Sequence, residues 1–97
     1  MAKIVYSRRA FADLDRLEAF LAKEAPDAAE VAMLTISDAI DILSRHPRIG
    51  RPGQDPYREL VIGYGQRGYV ALYRYEPLLD VVRILSIRHQ REAGFRT

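Results

Sequence analysis

Two prolines do most to limit what this chain can fold into. Pro26 and Pro47 bracket the second of two helix-length segments. A proline ends the helix it interrupts, and the residue before it is pushed out of the helical region. Between Ser7 and Pro26, Phe11, Leu14, Leu17 and Leu21 recur at helical spacing, with Ala10 and Phe20 beside them. Ser7 is the expected N-cap. Beyond Pro26 a second stripe runs through Met33, Ile36, Ile40 and Leu43, widened by Val31, Leu34 and Ile42. Asp27 and Glu30 resemble a capping box. A second helix is therefore expected from about Ala28 to Arg45, stopped by His46–Pro47. Helices joined this tightly form an antiparallel hairpin.

The rest of the chain reads as strands. "KIVY", Lys3–Tyr6, is short, β-branched and aromatic. After the loop "PRIGRPGQDPY" come "RELVI", then "YVALYRYE" across the glycine-rich hairpin loop "GYGQRG", then Val81–Ile87 after the turn "PLLD". Alternation places Tyr69, Ala71, Tyr73 and Tyr75 on one face, and Val70, Leu72, Arg74 and Glu76 on the other. The expected fold is α+β, β-α-α-β-β-β. Two antiparallel helices pack on one face of a small, twisted, mainly antiparallel sheet. The other face is then wetter or covered by something else, and the tyrosine row and the arginines are candidates to line it.

Ninety-seven residues are expected to make one domain, 1–97. There is no Cys, which excludes a disulfide framework or a thiolate metal site. His46 and His89 are far apart in sequence, so no metal and no cofactor is expected. No apolar stretch is long enough to span a membrane, and no secretory signal is visible, so a cytoplasmic protein is expected. The net charge of +2 is unevenly spread. Residues 1–46 carry six Lys/Arg against eight Asp/Glu, net −2, and residues 47–97 carry nine Arg against five Asp/Glu, net +4. Arginine presents a planar fork suited to phosphates and carboxylates.

Nucleophilic catalysis lacks an activated Ser or Cys here. The glycines of "GYGQRGY" are flanked by strands, unlike a phosphate-binding loop that opens a helix. Metal-free RNA cleavage suits an Arg-rich surface. It needs a base for the 2′-OH, an acid for the leaving oxygen and cations on the phosphate. His89, Arg88, Arg91 and Glu59 could supply that set. The basic tail after Val81–Ile87 could equally be solvated surface or a binding edge. Simple nucleic-acid binding is less favoured, because no recognition motif appears and the helices are net acidic.

Four stretches, "YSRRAFADLDRLEAFL", "AIDILSRHPRIGRP", "YRELVIGYGQRGYVALYRYE" and "VVRILSIRHQREAGF", together resemble toxins of the RelE/ParE superfamily. These are the toxic halves of bacterial type II toxin–antitoxin modules, also called plasmid stabilisation proteins. The stretch H-P-x-x-G-x-P, then R-E-L, x-Y-R-Y and V-V-R-I-L, is most similar to the ParE side. The resemblance implies two N-terminal helices on a twisted antiparallel sheet. It also implies a ParD-like antitoxin whose C-terminal segment folds along the toxin in a hetero-oligomer. RelE-like members are ribosome-dependent mRNA endonucleases, whereas ParE-like members inhibit DNA gyrase without known hydrolytic chemistry. The nuclease pattern of G-Y-R in the middle strand is broken here by Gly68-Tyr69-Val70, and Phe95 stands where a tyrosine is often used. The resemblance therefore implies a gyrase inhibitor rather than an enzyme. Its target- or antitoxin-binding residues would be Arg67, Tyr73, Arg74, Arg83, Arg88, His89, Arg91 and Phe95. The alternative is an mRNA endonuclease using His89, Arg91, Arg88 and Glu59.

Overall fold

The computed structural model describes residues 1–63 and 68–90. The chain forms β1 (Lys3–Tyr6), α1 (Arg8–Glu24), α2 (Pro26–Asp41), a 3-10 turn (Ile42–Ser44), β2 (Arg51–Pro52), β3 (Tyr57–Ile62), β4 (Tyr69–Glu76) and β5 (Val81–His89). Ser7 caps α1, its Oγ accepting the Ala10 amide at 3.0 Å. Pro26 opens α2 as well as closing α1. Its missing N–H is one that a first helical residue would leave unpaired anyway. The expected Asp27 cap is not made: Ala25 occupies the cap position and no side chain bonds there. The second helix also stops short of Arg45, tightening at Ile42 into the 3-10 turn.

The sheet order is β1-β5-β4-β3-β2. β1 runs parallel to β5, and the other pairs are antiparallel. Two features went beyond the sequence reading: the two-residue β2, and β1 placed as an edge beside the last strand. Leu72 faces Ser86 and Tyr73 faces Ile84, so Leu85 is an extra residue in β5. That bulge keeps Ile84 and Ile87 on one face although they stand three apart.

Both helices cover this one face. Leu17, Ile36, Ile40 and Leu43 pack against Ile62, Tyr69, Ala71, Tyr73, Val82, Ile84 and Ile87. On α1 the inward line is Ala10, Asp13 and Leu17, while Phe11 and Phe20 are exposed. Phe11 stacks on Tyr6 instead, with centroids 5.4 Å apart.

β5 continues five residues past its last pairing with β1 at Ile84. Its backbone there would be left unpaired, a costly state when buried. Side chains of α1 and its cap take over the edge. Ser7 Oγ donates to the Leu85 carbonyl at 2.9 Å, and buried Asp13 accepts the Ile87 amide at 2.8 Å. Arg9 and Arg16 flank the Asp13 carboxylate at 3.5 and 3.8 Å.

Candidate binding face and loop

Residues opposite one another across antiparallel strands share a face. Tyr57, Arg74 and Arg83 form one such row, Glu59, Leu72 and Ser86 the next, and Val61, Val70 and Arg88 a third. None of these nine residues belongs to the cluster beneath the helices, so they line the opposite face, open in that no helix among the described residues covers it, although Val70 and Ser86 are buried. The sequence reading of a second face rich in arginine is met here. The tyrosine row is not part of it. Tyr69 and Tyr73 are buried under the helices, and Tyr73 is 0% exposed. Its proposed place in a binding surface is therefore corrected: it is a core residue. Both faces of β4 are apolar enough to bury, and the helices settled on the larger rings.

On the open face Glu76 holds two arginines. Its Oε1 lies 2.8 Å from Arg74 Nη2, and its Oε2 lies 3.2 Å from Arg83 Nε without hydrogen-bond alignment. Glu59 is held by Arg51, with Nε to Oε1 at 2.9 Å. Arg88 donates from Nη1 to the His89 carbonyl at 3.3 Å. Among the described residues, Arg74 Nε, Arg83 Nε and Ser86 Oγ are buried and lack a hydrogen-bond partner. Such groups are uncommon in folded proteins, because desolvating a donor without a bond is costly. They mark this face as one that can receive acceptor atoms.

His89 is placed differently. It pairs with Tyr69 on the helix side of the sheet and meets that ring edge-on, with centroids 5.4 Å apart and planes at 89°. Adjacent Arg88 points the other way. The structure thus brings Arg74, Arg83, Arg88 and Glu59 to one face and sets His89 on the other. Arg67, Arg91 and Phe95 lie outside the described residues. Ser86 was missed by the sequence reading, because a lone strand serine carries no pattern.

Burial raises the pKa of Tyr69 and Tyr73, the latter opposed by the Gly50 amide bonded to its hydroxyl and by the Arg58 charge. Tyr6 is raised by burial and then by Asp41. Tyr75 is raised chiefly by its hydrogen bond to Asp80, at 2.7 Å. Among the described residues no three His, Cys, Asp or Glu converge as metal ligands, and no helix is long and apolar enough to cross a membrane. Between the helices lies an open groove of 780 Å3, lined by Ala19, Ala22, Pro26, Ala29, Met33 and Leu34 with Asp15, Glu18 and Glu30.

The two-helix layer on a five-stranded sheet has the fold of the solved ParDE and RelBE systems, a RelE/ParE-like fold. Residues 4–94 match the model of the family described as the ParE toxin of type II toxin–antitoxin system, parDE, and the chain belongs to that family of toxins. It is 37% identical over 92 residues to Toxin RelE3 of Caulobacter vibrioides, covering 95% of this chain and 98% of that protein. Toxin RelE2 of the same organism is 36% identical over 86 residues, covering 87% and 93%. Among solved structures, the chromosomal ParDE system of P. aeruginosa superposes with a TM-score of 0.76 at 24% identity, covering 92% of this chain and 96% of that one. The E. coli RelBE toxin–antitoxin complex superposes at 0.63 with 14% identity, covering 92% and 96%.

Proposed function

We propose that this toxin acts by poisoning DNA gyrase, without catalysing hydrolysis, and that a ParD-like antitoxin neutralises it in the cytoplasm. Kinship alone leaves the target open, since the family model is named for ParE and the sequence relatives for RelE. The observation that carries the reading is the separation of His89 from Arg74, Arg83 and Arg88 among the described residues. General acid–base cleavage needs the acid, the base and the phosphate-binding cations within reach of one substrate. Here His89 packs on Tyr69 beneath the sheet, while Arg88 and Glu59 occupy the open side. Glu59 is further engaged by Arg51, which favours a structural carboxylate over a free base. In a binding protein the same arginines, with Ser86, serve as a recognition face.

The antitoxin reading is supported by exposed apolar surface and by open strand edges. Phe11, Phe20, Val31 and Leu34 are exposed on the helical hairpin. β3 runs three residues past its last pairing with β2, leaving Leu60–Ile62 without a strand on that side among the described residues. A segment that folds on binding can cover apolar helix surface and add a strand to such an edge. The structural neighbours include complexes named as toxin with antitoxin.

Purified toxin tests the target directly. Inhibition of gyrase supercoiling, with ribosome-bound mRNA left intact, is the expected result. Cleavage of mRNA on the ribosome with undisturbed supercoiling would sink the gyrase reading and return His89, Arg88, Arg91 and Glu59 to the role of catalysts.

A further inference from the structure

The loop between the 3-10 turn and β3 is exposed, yet it is held from several sides. The Ile49 amide bonds the His46 carbonyl at 3.1 Å, closing a turn. The Gly50 amide donates to the buried Tyr73 hydroxyl at 2.9 Å. Arg58 Nη1 donates to the Arg48 and Gly50 carbonyls at 3.1 and 2.9 Å. The Arg48 guanidinium lies over the Tyr75 ring, 4.9 Å from its centroid. There is no room for slack, since a Cβ on Gly50 would meet the Tyr73 ring and hydroxyl at 2.6 Å.

Loops of this kind are ordinarily mobile and polar. This one uses a buried tyrosine and an arginine fork to fix itself, and what it then presents outward is Ile49, 59% exposed, beside Arg45, His46 and Arg48. An apolar anchor with a cationic rim, ordered in advance, has the anatomy of an interface hot spot. Fixing it beforehand lowers the entropy lost on binding.

We propose that the loop His46–Arg51 docks a folded protein partner through an apolar pocket for Ile49 rimmed by carboxylates, and that this partner is gyrase. The inference rests on the gyrase reading above. Charge complementarity selects an acidic rim. A nucleic-acid backbone is a poorer fit: Ile49 offers it nothing, Arg51 is tied to Glu59, and Arg58 is spent on carbonyls. A segment that folds on binding adapts to whatever it meets. A folded target gains most from a surface already fixed.

The test uses full-length toxin carrying Ile49→Asp or Arg48→Glu, with Leu78→Asp, fully exposed in the β4–β5 turn, as the comparison. Supercoiling inhibition, binding to a synthetic ParD-type C-terminal peptide, binding to a labelled duplex oligonucleotide, and thermal midpoint are measured for each. Both loop variants are expected to need about tenfold more toxin for half-inhibition, with peptide binding unchanged; the midpoint stays unchanged in Ile49→Asp and falls slightly in Arg48→Glu, which loses the contact over Tyr75, and Leu78→Asp matches wild type. Inhibition by Ile49→Asp and Arg48→Glu equal to wild type overturns the inference while the gyrase reading stands. Loss of peptide binding alone overturns it in favour of an antitoxin contact, and loss of duplex binding alone in favour of a DNA contact. A wild-type toxin that leaves gyrase untouched removes the gyrase reading, and this inference falls with it.

Discussion

Along β5, neighbouring residues meet opposite surroundings. Ile84 and Ile87 are wholly buried beneath the helices, whereas Arg83 and Arg88 are half-buried on the opposite face with buried Ser86 between them. On the helix side the polar groups that are buried have partners: Asp13 takes the Ile87 amide and Tyr73 takes the Gly50 amide. On the open side Arg74 Nε, Arg83 Nε and Ser86 Oγ are buried without one among the described residues. Apolar burial at roughly 25 cal/mol per Å2 makes the first face the source of stability. The second is a face whose hydrogen bonds are incomplete among the described residues, which is what a surface kept for a partner looks like. If that division is right, adjacent substitutions should separate folding from function.

The largest contrast is expected between residues 84 and 83. Ile84→Ala should cost about 3 kcal/mol, through lost burial and the cavity left behind. Arg83→Gln should cost less than about 1 kcal/mol, since its ion pair with Glu76 is partly solvated. Its half-inhibitory concentration against gyrase should nevertheless rise about tenfold. Urea unfolding beside a supercoiling assay checks both. An Arg83 variant that is destabilised but fully inhibitory would break the division.

Next come the fixed points of the loop and of the β5 edge. Gly50→Ala drives a methyl into the Tyr73 ring and towards the Glu59 carbonyl at 2.9 Å, and overpacking of this kind should cost about 2 kcal/mol. Asp13→Ala leaves the Ile87 amide without its acceptor, a loss of about 2 kcal/mol. Asp13→Asn, whose side-chain oxygen can still accept, should lose less. Amide exchange at Ile87 distinguishes the two Asp13 variants: it accelerates in the alanine variant and stays slow in the asparagine variant.

Much of the covered face was legible in the sequence. Pro26, Pro47 and the spacing of Leu17, Ile36, Ile40 and Leu43 placed the hairpin, and alternation grouped Tyr69, Ala71 and Tyr73 correctly. Which face the helices would choose was not legible, because Val70 and Leu72 make the other side of β4 nearly as apolar. Tertiary packing broke that tie. β2 is too short to carry a period, and its pairing depends on Arg51 meeting Glu59 across the sheet. Of the site, the strand arginines could be read directly as cations without an obvious core role. Ser86 and the loop's attachment to Tyr73 could not, since both are made by residues far apart in sequence. The split between Arg88 and His89 follows from strand alternation, but only once β5 is known to continue to His89 rather than to end at Ile87.

The subtlest test of the covered face is its response to alkali. Burial raises the folded-state pKa of Tyr73, and likewise of Tyr69 and Tyr6, above the value of about 10 for an unfolded tyrosine. Below that value both states are protonated and the contribution to stability is fully present. As pH rises past about 10 the unfolded chain loses its tyrosine protons first, so it binds fewer protons than the native state and stability falls. The fall continues until pH passes the raised folded value. Tyr73→Phe removes one of the three groups, and with it the hydroxyl that accepts the Gly50 amide, a loss of about 1 kcal/mol near neutrality. Urea midpoints measured from about pH 8 to 11 should therefore start lower in the variant and decline less steeply than in wild type. Exchange at the Gly50 amide should quicken at every pH. Equal slopes in the two proteins would mean that the Tyr73 hydroxyl ionises as freely in the folded chain as in the unfolded one. A core position sealed by the helices does not permit that.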